Sequence, residues 1–150
     1  MLLREDPVEK QKLDVSRRLE ASNKILCLRE LERQGVARPK VEASFYRNGI
    51  KLGQRWGEGD WNSFLDRLEA TIHPEAFEAY LVDDLGHEIE HEYEGVEQVL
   101  LRHLVRHEKS QIEFLERERQ GICESTCPME AVLNSELCAG LVGPEAPVGW

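Results

Sequence analysis

From residue 75 to residue 120 the chain keeps one helical alternation of apolar and polar residues, and this constrains the fold more than any other feature. A single helix there would be about 70 Å long at ~1.5 Å per residue. A domain of 150 residues is not that wide, so the segment has to fold back. Gly95 is the natural break. The pattern predicts two helices, 75–94 and 96–120, as antiparallel neighbours, with Gly121 capping the second.

The rest of the chain reads as helices too. Pro7 suits a first helical turn, where its missing N–H has no partner to lose. A helix is expected from there to Gln34, with Gly35 as its C-terminal cap. Val8, Val15, Leu19, Ser22 and Leu26 form one stripe on it, and Leu13, Glu20, Cys27 and Leu31 a second. Two stripes imply neighbours on two sides. Glu20 interrupts the second stripe, and a carboxylate there needs a partner, a metal or a proton. Pro39 opens a second segment that reaches about Trp56. Asn48-Gly49 is a possible hairpin there, but its flanks do not alternate like strands. On the wheel Glu42 falls near Gly49 and Gly53, where a helix or ligand could approach. Asp60 is a good N-cap for a helix over 61–71, ended by His73-Pro74. Residues 1–121 are expected to form a helical bundle, and residues 122–150 a tail with a short helix near 129–137. The whole reads as an all-α, four- to five-helix up-and-down bundle.

Composition excludes several functions. The chain is 41% hydrophobic and 32% charged, a balance that supports one real core. Its net charge of −10 repels phosphate backbones. The basic stretch taken as the best candidate, residues 102–109, is interrupted by Glu108 and carries no aromatic residue, so no nucleic-acid partner is expected. The N-terminus becomes charged at Arg4, unlike a secretory signal, and no apolar run approaches the ~20 residues that span a bilayer. A cytoplasmic location with no membrane partner follows as the expectation. The four cysteines then read as reduced thiols. Cys123 and Cys127 stand as CxxxC rather than CxxC.

The segment 86–121 carries four of the five histidines, as His87 with His91 and His103 with His107. On a wheel for 75–94, Phe77, Leu81, Leu85 and Ile89 define the apolar face, and Glu88 and Glu92 fall inside it. On the wheel for 96–120, His107, Glu108 and Gln111 interrupt the apolar face, with His103 at its edge. Polar side chains forced inward must find partners. The wheels therefore predict a polar pocket between these last two long helices.

Glu88 and His91 form an ExxH, a spacing that places both side chains on one helix face. With its helix pattern, this resembles the ferritin-like di-iron carboxylate bundles. That resemblance implies Fe or Mn, with Zn less favoured, held by Glu88, His91 and His107 and by Glu20 from the first helix. It implies an oxidoreductase-type or metal-binding protein. A second ExxH is absent, since Glu42 is followed by Phe45 and Glu108 by Gln111. HEIEH over 87–91 also matches the HExxH of zinc proteases, but Glu90 and Glu92 flank its second histidine and no third ligand or sheet accompanies it. Two readings stand beside the metal site. One is a cofactor-free acid–base enzyme, an isomerase or lyase acting on a small hydrophobic molecule, with His107 and Glu108 as its catalytic groups. The other is a non-catalytic interaction protein, with a homodimer as its expected form, in which the histidines merely pair with carboxylates.

Overall fold

The computed structural model describes residues 6–37, 43–139 and 141. Among them the chain is all-α. The elements are α1 (Pro7–Arg33), α2 (Ala43–Gly57), α3 (Trp61–Ile72), α4 (Pro74–Ala79), a π-helical segment (Tyr80–Asp84), α5 (Leu85–Glu92), α6 (Gly95–Arg119) and α7 (Cys127–Leu133). No described helix is long and apolar enough to cross a membrane. The expected helix start at Pro39, the carboxylate Glu42 and the end of the tail, 142–150, lie outside the described residues.

Local chemistry sets the ends of these helices. The Asp6 carboxylate accepts from the N–H groups of Val8 and Glu9 at 2.8 and 3.0 Å, capping α1 beside Pro7. Gly35, at φ +73°, ends it, and the Val36 N–H returns to the Leu31 carbonyl. Asp60 caps α3 through the Ser63 N–H. His73 sits between α3 and α4 at φ +48°. Pro74 disfavours the right-handed helical region for it, and it forms an exposed joint.

The helix expected over 75–94 is not uniform. A π turn takes an extra residue per turn, and the segment Tyr80–Asp84 does so. Residues after it are rotated relative to a plain 3.6-residue wheel. Leu81 and Ile89 still reach the interior, at 2% and 1% exposure. Tyr93 and Glu94 are extended, and the chain turns into α6 at Gly95.

α6 is the hub: it packs on α1, α3, α4, α5 and α7. Its pairing with α1 is antiparallel over nearly full length, because Lys12 meets Glu118, Glu20 meets Gln111, Asn23 meets His103 and Gln34 meets Glu97. α5 returns along the first half of α6, where Glu90 holds Arg102 and Gln98 donates to the Ile89 carbonyl.

The main core joins Val15 and Leu19 of α1, Phe114 of α6, and Met129, Val132 and Leu133 of α7, with Trp61 and Leu68 of α3 against it. The short helix expected near 129–137 thus lies at Cys127–Leu133 and belongs to the same core as residues 7–119. Among the described residues the core thus continues past Gly121. Met129 is fully enclosed. Met129→Ala is therefore expected to cost ~2–5 kcal/mol of unfolding free energy, seen as a lower urea midpoint. Leu137→Ala, at a half-exposed position, should stay within about 0.5 kcal/mol.

Candidate functional site

The inward polar residues of α6 meet α1, not α5. His107 is 1% exposed. Its Nε2 stands 3.3 Å from Oε1 of Glu20, and its Nδ1 stands 3.1 Å from Oε1 of Glu108. The imidazole is thus held edge-on between two carboxylates, one from each helix. The Gln111 side-chain N–H donates to the same Glu20 oxygen at 2.6 Å and lies 3.1 Å from His107 Nε2. Glu20 answers the question its position raised: it is paired, at the rim of the α1–α6 seam.

Electrostatics follow from that geometry. Burial works against charge on His107, but hydrogen bonds to Glu108 and Glu20 outweigh it and push the pKa up to about 9. The ring keeps its proton at neutral pH, with a carboxylate oxygen near each nitrogen. The Glu20 carboxyl is held below the usual range, chiefly by its hydrogen bond to His107 and against the effect of burial. One turn earlier, His103 behaves oppositely. It is 2% exposed, and burial lowers its pKa, with His107 and Arg106 adding to the effect. Its Nε2 lies 3.1 Å from Asn23 Oδ1 and 3.4 Å from Cys138 Sγ. Burial pushes the Cys138 thiol up. A neutral imidazole beside a protonated thiol is not an activated nucleophile.

The remaining predicted residues lie elsewhere. Glu88 is partly buried and accepts from the Tyr93 hydroxyl at 3.5 Å, and its charge raises the Tyr93 pKa. His91 is exposed, with Nδ1 2.8 Å from the His87 carbonyl and its ring 4.0 Å from that of His87. Of the expected ligand set Glu20, Glu88, His91 and His107, the fold brings together Glu20 and His107. Glu108 joins them, but on the opposite nitrogen of the ring, so the two carboxylates cannot converge on one ion beside Nε2. Among the described residues no group of three or more His, Cys, Asp or Glu side chains is arranged to hold a metal ion. The polar pocket expected between the last two long helices is therefore relocated. The wheel for 96–120 picked out His107 as inward but not the neighbour it would face, and Glu92, which the wheel for 75–94 placed inside the apolar face, is exposed.

Beside this cluster opens a pocket of about 400 Å³. Its walls are apolar: Trp56 from α2, Phe64, Leu68 and Ile72 from α3, Phe114 from α6 and Met129 from α7. Phe64 is stacked on Trp61 at 5.0 Å and meets Trp56 edge-on at 6.1 Å, which fixes the aromatic wall. The polar lining comes from Glu20 and Gln111 on one side and from Lys12 and Ser16 of α1. Lys12 is neutralised by Glu118 at 2.6 Å. Glu118 also accepts from the Trp61 indole at 2.6 Å, and these donors hold its carboxyl below the usual range despite burial. Asn23, Lys12 and Ser16 were not singled out by sequence reasoning. Asn23 follows Ser22 of the first stripe, and two adjacent polar residues at a helix seam are the signal that marks it.

The two shifts give a signed pH dependence. The His107 contribution is complete below its ordinary value of 6.5 and is lost as pH rises toward 9. The Glu20 contribution is present above 4.5 and lost as pH falls below it. Urea unfolding should therefore show stability falling between pH 6.5 and 9 in the native chain. That slope should be absent when Glu20→Gln and Glu108→Gln are combined. The His107 ring proton resonance should titrate near pH 9 in the native protein and below 6.5 in the double variant, where burial alone remains. Comparison with known proteins returns no matching family model, no matching curated protein and no matching solved structure.

Proposed function

We propose that the protein binds a small hydrophobic molecule in the pocket between α1, α2, α3 and α6. The observation that carries this reading is the composition of its wall. A mainly apolar, aromatic-lined cavity of about 400 Å³ has, beside Lys12 and Ser16, a polar corner of Glu20 with Gln111 tied to buried His107. Pockets of this size with few, well-anchored polar groups are the usual form of small-molecule sites. The molecule's apolar body would lie against Trp56, Phe64 and Phe114, and a hydrogen-bond donor on it would reach Glu20.

The pKa directions favour binding over proton transfer. A carboxyl held below its usual range is a weak base, and Glu20 is so held. His107 carries its proton at neutral pH but is enclosed behind Glu20. Glu108, the other expected catalytic group, does not line the pocket. A second reading keeps the ferritin-like character, with Fe or Mn bound at the Glu20–His107 pair. What favours it is that two of the four expected donors stand 3.3 Å apart. A cytoplasmic setting accords with the free cysteines at 27, 123, 127 and 138.

The test uses N-phenyl-1-naphthylamine, a neutral probe that fluoresces when enclosed. Saturable binding of one probe per chain, with quenching of tryptophan emission from Trp56, is expected. Ser16→Phe, which fills the pocket from α1, should weaken it at least ~10-fold while leaving the helical circular dichroism intact. Equal affinity in the native and Ser16→Phe proteins would remove the pocket from consideration. Metal analysis of protein purified without chelator separates the second reading: stoichiometric Fe or Mn lost in His107→Gln would support it.

A further inference from the structure

Among the described helices α2 alone carries basic residues and no acidic one. From Ala43 to Gly57 it contains Arg47, Lys51 and Arg55 and no acidic residue, in a chain of net charge −10. The three cations recur every fourth residue, so they lie in one stripe about 12 Å long. Ile50 and Leu52 flank that stripe, one on each side of the helical wheel, at 47% and 53% exposure. All described side chains from Arg47 to Arg55 are exposed. The helix is nevertheless held in place at its C-terminal end: Arg67 of α3 donates to the carbonyls of Arg55, Trp56 and Glu58. α2 thus presents a basic, apolar-flanked stripe on a fixed base.

The complementary surface lies on the same molecule. An open groove of about 890 Å³ runs between α3, α4 and α6. Its floor is apolar, with Ala70, Pro74, Ala76 and Leu115, and the carboxylates of Glu75 and Glu116 stand on its walls. Arg119, the one Lys or Arg in its lining, is occupied by Asp66 and Glu69. The acidic surface continues along residues 74–94, which hold eight Asp or Glu and no Lys or Arg. Tyr80 and Val82 stand exposed among them at 47% and 48%. Arg47, Lys51 and Arg55 are exposed, and none of them lines the groove of its own chain.

We propose that α2 of one chain docks on the acidic α3–α4–α6 groove of a second copy, and that the exchange is reciprocal. A two-fold dimer forms each contact twice, because the same patch serves both subunits. Charge complementarity chooses a second copy over an anionic lipid surface. The body carrying α2 is strongly acidic and would be repelled by such a surface. Ile50 and Leu52 would cover part of the exposed apolar residues on and beside the groove, which a purely electrostatic contact would leave wet.

The test is sedimentation equilibrium of the full chain, at ~10 mM and ~1 M salt, where the screening length falls from ~30 to ~3 Å. The native chain should dimerise at low salt, with the dissociation constant rising at least ~10-fold at high salt. Arg47→Glu/Lys51→Glu/Arg55→Glu should be monomeric, and so should Glu75→Lys/Glu78→Lys/Glu116→Lys. Mixed together, the two variants should form a heterodimer, because one contact then pairs the acidic α2 with the basic groove and the other pairs the native α2 with the native groove. That rescue excludes simple misfolding as the cause of the loss. A native chain that stays monomeric at low salt overturns the proposal. If such a monomer binds anionic phosphatidylserine vesicles through Arg47, Lys51 and Arg55, the helix belongs to a membrane surface instead. A dimer that persists unchanged in both variants overturns it equally.

Discussion

The seam between α1 and α6 depends on one arrangement, the enclosure of a charged His107 between carboxylates from both helices. A charged ring that is 1% exposed would be costly alone. Here each ring nitrogen faces a carboxylate oxygen, at 3.3 Å from Glu20 and 3.1 Å from Glu108. The contact also aligns the helices. With Glu20 opposite His107 and Gln111, the antiparallel register brings Lys12 to Glu118 at one end and Gln34 to Glu97 at the other. A slip of one turn would leave an uncompensated buried charge, so the cluster specifies register as well as adding attraction.

From that register the rest follows in order. α6, fixed against α1, presents Phe114 to the core and its later turns to α3. α7 closes the core over Leu19 and Phe114 with Met129. α3 leans its aromatic residues across the seam, and the space left between Phe64, Trp56 and the Glu20–Gln111 corner is the pocket. The polar cluster is therefore both a structural lock and one wall of the candidate binding site. An imidazole that keeps its proton at neutral pH is not poised to act as a general base, and a carboxyl held below its usual range is a weak one.

Much of the helical framework was legible in the sequence because helix ends have local causes. Pro7, Gly35, Asp60, Gly95 and Gly121 act through their own backbone preferences and nearest neighbours, and each lies at or beside the end of a helix in the structure. Candidate-site residues were legible only as individuals. Glu20, His107 and Gln111 stood out because polar groups on an apolar stripe need partners. Glu88 stood out by the same reasoning and His91 by its ExxH spacing to it, yet Glu88 turns to Tyr93 and His91 to solvent. A wheel drawn through 75–94 assumes 3.6 residues per turn, and the π segment Tyr80–Asp84 breaks that assumption.

What the sequence alone determined is the all-α class, the helix limits set by capping residues, and the short set of polar side chains that had to be satisfied inside. Those are consequences of backbone geometry and of the cost of burying unpaired polar groups, and both act within a few residues. What only the tertiary structure decided is who satisfies whom. His107 meets a carboxylate 87 positions away in the chain rather than the nearer Glu88, and Met129 enters the core instead of trailing from it. Helices of similar pattern can pair in many ways, and the choice among them rests on side-chain fit across surfaces far apart in the sequence.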